Sequence, residues 1–404
     1  VPGPAILSIV ALLAAIAVSC VLPINVGLLS IAFAYVVGRG VNVGAGFPVN
    51  LFLTLVGTMF LFSLAAANGT LDQAARRSIV LARGNKGLIP VIFFLLAVVL
   101  GAAGPGGIAA AALLAPVAMA VAAELNISAF LMTLMVANGA NAGTFSPIAP
   151  TGIIARDLMT RIGLAGMEWP NFWNTLLAQS AVAFAGYFAL GGAGLLVQKS
   201  GAAHQNQPLP PLERRQKVTL ALILGLVAAV MLFRVDIGVA AFVTAAVVSL
   251  ARLSDEEAAL RRMPWGVILM VCGVTMLIGV MERTGGMTLF TGFLKSFTHP
   301  AYLPGVIALV TGLISVYSSS SGVVMPAFLP MVPGLGGNSL MVAYAVNVGS
   351  HLVDVSPLST IGAMCIAAAP VHEDRSLLFR KLLIWGWSMA FVGAIVCQLL
   401  FGYR

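Results

Sequence analysis

The chain has 404 residues, of which 60% are hydrophobic and only 8% are Asp, Glu, Lys or Arg, with a formal net charge of +8. A soluble domain carries roughly 25% charged residues, so these proportions, with a mean hydropathy of +1.03, exclude a soluble globule and indicate a polytopic membrane protein. Many runs reach the roughly 20 apolar residues that a spanning helix needs, whereas barrel strands read as weaker alternating segments of about ten, so the fold class read here is all-α. The basic excess does not imply nucleic acid, because Lys and Arg fall in loops flanking apolar runs, where they set topology.

In chain order, the first half predicts spans near 4–20, 22–38 and 48–67. The first apolar run lacks a basic segment ahead of it and leads straight into a second, so no cleavable signal peptide is expected; the sequence begins at Val1, which leaves room for a preceding segment. Segment 71–84 sets Asp72, Gln73, Arg76, Arg77 and Arg83 against Leu71, Ile79, Val80 and Leu81, the pattern of an interfacial helix. Residues 88–123 are too long for one span and are interrupted by Gly104-Pro105-Gly106-Gly107, which predicts a re-entrant hairpin. A helix over 128–165 is broken near 141–147, and a span over 170–197 closes the half. Loop 198–217, with Pro208, Pro210 and Pro211, reads as a linker.

The second half predicts spans near 218–233, 237–251 and 265–283, a surface segment near 287–297 and a hairpin over 302–333 interrupted by Ser318 to Ser321. A helix over 340–370, broken near 350–357, and a span over 382–400 follow. Ten crossings and two hairpins divide Lys and Arg fourteen to seven between the two sides, which places 198–217 in the cytoplasm and both termini outside. Cys20, Cys272, Cys365 and Cys397 stand singly in apolar runs and read as packing residues.

Five crossings per half give the halves opposite orientations. Gly57-Thr58-Met59 aligns with Val274-Thr275-Met276, and Asn68-Gly69 with Gly285-Gly286, at an offset of 217; Gly104 aligns with Ser318 at 214; Gly139, Ser146, Pro147 and Gly152 align with Gly349, Ser356, Pro357 and Gly362 at 210. The expected organisation is therefore a first inverted repeat over 1–197, a cytoplasmic linker over 198–217 and a second inverted repeat over 218–404. Such repeats hold substrate near the midplane, at their interface.

A helix broken at mid-membrane presents N–H groups on its downstream half and carbonyls on its upstream half, attracting anions to the first and cations to the second. Hairpin arms starting near Gly107 and Gly322, with half-helices starting near Ile148 and Leu358, aim four positive ends at one cavity, which suits two carboxylates. Candidate substrate ligands are Pro105, Gly106, Gly107, Asn138, Asn141, Thr144, Ser319, Ser320, Ser321, Asn347, Ser356 and Thr360. Candidate cation ligands are Gly104, Asn141, Gly143, Ser146, Ser318, Ser350 and Asp354. Thr151 and Ser359 also stand at the breaks, and Ser, Thr and Asn serve equally to tie helices together in lipid. Asp354, a carboxylate placed deep in a span, has three readings: a cation ligand, a proton carrier, or a partner of His351 at i, i+3 spacing. His351 is either a proton-coupling group or a hydrogen-bonded core residue. The sequence shows no Arg positioned to grip a carboxylate.

At Ala137 to Pro147 and Ser318 to Pro326 the chain resembles the ion transporter superfamily, which includes the divalent-anion/sodium symporters, and within it bacterial dicarboxylate carriers of the MatC, or malonate carrier, type. The resemblance covers nearly the whole chain. It implies import of a small dicarboxylate, malonate or a C4 acid such as succinate, by sodium symport, with no cofactor beyond the coupling ion. It further implies a homodimer in the bacterial inner membrane, with central scaffold domains and transport domains that move as elevators. Family hairpin tips bear Ser-Asn-Thr touching both carboxylate and sodium. Here the tips read Pro105-Gly106-Gly107 and Ser319-Ser320-Ser321, so binding at the first falls to backbone amides and to Asn138, Asn141, Thr144 and Ser146. Carried over by position, the cation sites lie between Gly104 and Asn141 to Ser146, and between Ser318 and Ser350 to Ser356.

Three other readings compete. One is a proton-coupled or exchanging carrier of another organic anion or of an oxyanion such as arsenite. Another is an intramembrane hydrolase using one of Ser318 to Ser321 with His351 and Asp354, although the first half repeats the break without those residues. A passive channel would favour a continuous polar stripe, whereas polarity here concentrates at mid-depth.

Overall fold

The computed structural model describes residues 3–22, 24–38, 43–70, 73, 85–198, 211–233, 235–263, 265–369 and 373–402. Among these residues there is no strand. In chain order the principal helices are α1 (Gly3–Val21), α2 (Val26–Val37), α3 (Val49–Ala67), α4 (Leu88–Ala102), α5 (Gly106–Glu124), α6 (Ala129–Gly143), α7 (Pro150–Arg161) and α8 (Glu168–Ala189). They continue as α9 (Arg214–Phe233), α10 (Ile237–Leu250), α11 (Glu256–Arg262), α12 (Trp265–Arg283), α13 (Gly286–Phe297), α14 (Leu303–Tyr317), α15 (Ser339–Leu352), α16 (Thr360–Ala368) and α17 (Arg375–Phe401). Short polar side chains fix the starts: Asn25, Asp236, Ser359 and Asp374 each accept a backbone N–H from the first turn of the helix that follows.

Three helices among the described residues are long and apolar enough to cross a membrane unaided: Gly106–Glu124, Pro300–Tyr317 and Arg375–Phe401. Six shorter apolar helices have 10–17 residues; Leu88–Ala102 and Ser320–Leu335 among them, like Gly106–Glu124 and Pro300–Tyr317 among the long ones, are arms of the two expected hairpins. The last helix starts at Arg375, not near 382, because Asp374 caps it and Arg375, Arg380 and Lys381 ride on its polar first turns. Segment 71–84 lies outside the described residues apart from Gln73, as does most of the linker 198–217. Its expected counterpart near 287–297 is the helix α13, which leaves α12 at a bend of 88°.

That bend corrects the alignment of the halves. Helices α3 and α12 both have 19 residues, and each is followed by a left-handed glycine, Gly69 (φ 76°) and Gly285 (φ 79°). The offset between them is 216, one less than residue identities gave, because the backbone aligns on the positive φ that only glycine adopts readily.

Each hairpin packs its first arm on a broken helix, α4 on α6 and α14 on α15. Glycine permits the approach: a Cβ at Gly139 would meet the Phe94 backbone, and one at Gly349 would meet Ala308. The return arms differ. With a single Pro116, α5 stays one helix of 19 residues. Pro326, Pro330 and Pro333 remove backbone donors and cut the second arm into a π turn (Ser320–Val324) and three short pieces ending at Leu335. Across the halves, α16 lies on α5 and α7 lies on the broken return arm of the second hairpin. Helix α3 packs on α10, and α12 on α2.

Both breaks have the same backbone pattern. Ser146 and Ala149 donate N–H groups to Gly143 and Ser146 carbonyls (3.1 and 2.9 Å), and Ser356 and Ser359 donate to Val353 and Ser356 (2.8 and 3.0 Å). Gly152 and Gly362 return the chain so tightly that a Cβ would strike the carbonyls of Ser146 and Ser356. Gly152→Ala and Gly362→Ala are each expected to cost about 1–3 kcal/mol by overpacking, read as a lowered unfolding temperature in detergent. Gly225→Ala, in open space on α9, is expected to leave that temperature unchanged or raised.

Candidate functional site

The second hairpin tip is built by its serines. After α14 ends at Tyr317, Ser318 is extended (φ −135°, ψ −171°) and donates its hydroxyl back to the Ile314 carbonyl at 2.9 Å. Ser319 Oγ accepts the Gly322 N–H at 3.0 Å and caps the π turn. Ser320 is buried: its Oγ lies 2.8 Å from Ser315 Oγ and donates to the Ser350 carbonyl at 3.1 Å, while Ser315 donates to Asp354 Oδ1 at 3.3 Å. Four oxygens, from Ser315, Ser320, Ser350 and Asp354, thus converge where hairpin meets break.

Glycine builds the first tip. Gly104 (φ 128°) and Gly106 (φ 82°) turn the chain from α4 into α5, and the Gly107 N–H points at Thr144 Oγ1, 3.4 Å away. Thr144 donates onward to Thr151 Oγ1 at 3.0 Å. At the offset of 214, Gly101 and Gly106 occupy the places of Ser315 and Ser320. A Cβ at Gly101 would lie 3.0 Å from the Ala140 carbonyl, so close packing replaces the side-chain oxygens there.

Between the breaks lies a cavity of about 210 Å³. Asn141, Thr144 and Thr151 face it from the first half; Ser318, Ser319, Ser321, His351, Asp354, Ser359 and Thr360 face it from the second. Ile24, Val26 and Met270 complete the wall from outside the hairpins and breaks. The buried Asn141 amide nitrogen has no hydrogen-bond partner among the described residues. Leaving such a donor unmatched costs about 1–3 kcal/mol, so it is a group that an acceptor in the cavity would satisfy.

His351 Nδ1 lies 3.0 Å from the Asn347 carbonyl and 3.2 Å from Ser350 Oγ, and its ring meets Phe145 edge-on at 4.5 Å. The pairing with Asp354, one of the three readings of that carboxylate, is not formed among the described residues, because each is turned to other partners. No hydrogen bond links His351 to Ser318 through Ser321 among the described residues.

Pro105, Gly106 and Gly107 line a second cavity of about 360 Å³ that adjoins the first. Other candidates lie away from both. Asn138 donates to the Leu134 carbonyl of its own helix at 2.8 Å, whereas Asn347 donates to Asn171 Oδ1 at 2.9 Å and Ser356 to the Val316 carbonyl at 3.1 Å, so the last two tie separate elements together. Ser320 and Ser350 stand in the oxygen cluster behind the wall of the first cavity. Gly104 packs against the Phe62 ring, the Gly143 carbonyl is taken by Ser146 N–H, and buried Ser146 faces neither cavity. The half-helices start at Pro150 and Thr360, two residues later than expected. The hairpin return arms start at Gly106 and Ser320. Two contributors had no signal: Ser315 is a lone serine in an apolar arm, and Arg262, which faces the second cavity, reads as a loop charge.

Residues 3–144 match the family model described as Dicarboxylate carrier protein MatC N-terminus. Over most of its length the chain also has the fold of a solved structure, the Alcanivorax borkumensis YdaH transporter, with a TM-score of 0.61, 16% identity, and 89% of this chain and 87% of that one covered. No curated protein matches the chain. Both matches are to transport proteins, and over most of its length the chain shares the all-helical fold of the solved transporter.

One buried contact holds the second break from the side: Gln179 Nε2 donates to the His351 carbonyl at 2.8 Å. The Asp354 N–H also reaches that carbonyl, at 3.2 Å, so Gln179→Leu is expected to destabilise the protein by about 0.5–1.5 kcal/mol, the net worth of one hydrogen bond, read by thermal unfolding in detergent.

Proposed function

We propose that the chain imports a small dicarboxylate of malonate or succinate size together with sodium. The observation that carries this reading is that the unpaired Asn141 amide and a set of hydroxyls line one cavity, while the oxygen cluster for a cation lies directly behind its wall, with Asp354 belonging to both. Carboxylate oxygens would take Asn141, Thr144, Thr151, Ser319, Ser321 and Thr360, and the N–H groups that begin the half-helices. A hard cation suits Ser315 Oγ, Ser320 Oγ, the Ser350 carbonyl and Asp354, since freed carbonyls at such breaks are the usual ligands for sodium.

Asp354 then supplies the coupling. With no cation beside it, its charge repels an anion in the same cavity; a cation in the oxygen cluster cancels that charge and raises affinity for substrate, and by linkage the substrate raises affinity for the cation. A dianion entering a cell that is negative inside works against about 4.6 kcal/mol per 100 mV, at about 2.3 per charge, so at least two cations must accompany it. In this reading the tighter cation site is in the second half, and a weaker one uses the Ala140 carbonyl and Thr144 hydroxyl. The matching breaks further support two repeats, 1–197 and 218–404; with them this reading takes an inverted arrangement, a cytoplasmic linker, and an elevator motion within a homodimer of the bacterial inner membrane. Proton coupling is the second reading, favoured by His351 facing the cavity beside Asp354.

Uptake of labelled malonate and succinate into proteoliposomes under a sodium gradient, a proton gradient or neither tests this. Sodium-driven accumulation is expected; accumulation under the proton gradient alone would replace sodium with His351 and Asp354 as carriers, and no accumulation would reject both acids. Asn141→Ala is expected to raise the half-saturating substrate concentration about tenfold or more, the effect of losing roughly 1.4 kcal/mol. Ser320→Ala should instead raise the half-saturating sodium concentration, and Asp354→Asn should abolish the sodium dependence of substrate binding. Normal kinetics in both Asn141→Ala and Ser320→Ala would displace the site.

A further inference from the structure

The second cavity is larger than the first and has a different chemistry. The two share Ile108, Thr144, Thr151 and Ser321. Away from that polar rim the second is walled by Met59, Phe62, Leu113, Ile154 and Met364, surfaces that a small hydrated dianion gains nothing by touching. Its remaining charged group is Arg262, the last residue of α11. Arg262 donates Nη1–H to the Ala66 carbonyl at 2.8 Å, which anchors the guanidinium beside the end of α3. A guanidinium has five N–H donors in a fixed fork, so this anchor leaves enough of them to grip a carboxylate in two-point fashion.

The cavity therefore runs from hydroxyls, through an apolar passage, to a cation. Its length follows from the helices that wall it. Met59 to Ala66 on α3 spans seven residues, as does Gly106 to Leu113 on α5, which at 1.5 Å per residue is about 10 Å. Malonate and succinate are too short to reach both ends. An extended α,ω-dicarboxylate of suberate length is not.

We propose that the two cavities together form a binding site for long-chain α,ω-dicarboxylates, with one carboxylate at Thr144, Thr151 and Ser321, the methylene chain in the apolar passage, and the other carboxylate on Arg262. This rests on the reading of the first cavity as a carboxylate site. It adds a determinant of chain length: short acids use the first cavity alone, and long ones depend on Arg262 and on the passage staying open.

The test is calorimetric titration of the full-length protein in detergent, in sodium, with succinate, suberate and octanoate. Suberate is expected to bind, and Arg262→Gln and Ala112→Phe, the latter filling the passage, are each expected to weaken it about tenfold or more, the effect of roughly 1.4 kcal/mol, with succinate changed less than about twofold. Retained succinate binding shows that each variant is folded, and Arg262→Gln, at an exposed side chain, stands if Ala112→Phe does not fold. Succinate binding without suberate binding, or suberate affinity untouched by both variants, overturns the inference and leaves the short-acid reading intact. Octanoate binding as tightly as suberate overturns the role of Arg262. Binding of neither diacid removes the carboxylate site itself, and this inference with it.

Discussion

The structure depends on one constraint: backbone N–H and C=O groups freed by breaking a helix within the membrane must find partners or line a polar cavity. At each break a turn of three or four residues satisfies most of them locally, through Gly143 to Ala149 and through Val353 to Ser359. Hairpin and neighbouring helix then supply the rest, as when Ser320 takes the Ser350 carbonyl and Gln179 the His351 carbonyl. The side-chain amide of Asn141, beside the first break, lacks a partner among the described residues and faces the cavity.

The two halves solve that problem with different side chains. Serine fills the second hairpin tip and the arm behind it, so oxygens of Ser315 and Ser320 meet the broken helix. At the equivalent places Gly101 and Gly106 let the backbones close up, and the remaining hydroxyls are those of Thr144 and Thr151. A symmetric scaffold consequently carries an asymmetric site. Charge follows the same division, since Asp354 stands on the serine side, and the neutral glycine side adjoins the apolar passage that ends at Arg262.

Composition alone made the helical membrane class legible, and the clustering of Gly, Ser and Pro located both hairpins and both breaks. Individual residues were less legible. Asn347 and Ser356 have the composition of ligands and the geometry of ties between helices, while Asn138 turns back to its own helix, distinctions that depend on which face of α6 or α15 meets α4, α8 or α14. Ser315 is the converse: an isolated hydroxyl in an apolar arm, placed beside Asp354 only by packing across 39 residues of chain.

The sequence by itself determined where the chain cannot remain helical, because proline lacks a donor and glycine costs backbone entropy wherever they stand. It determined the collinear order of those interruptions in the two halves as well. Only the tertiary structure decided which polar groups face the cavity, which face one another, and that Arg262, at the end of α11, lines the second cavity. Those are distances between residues remote in sequence, set by how closely glycine lets helices approach, and no local pattern encodes them.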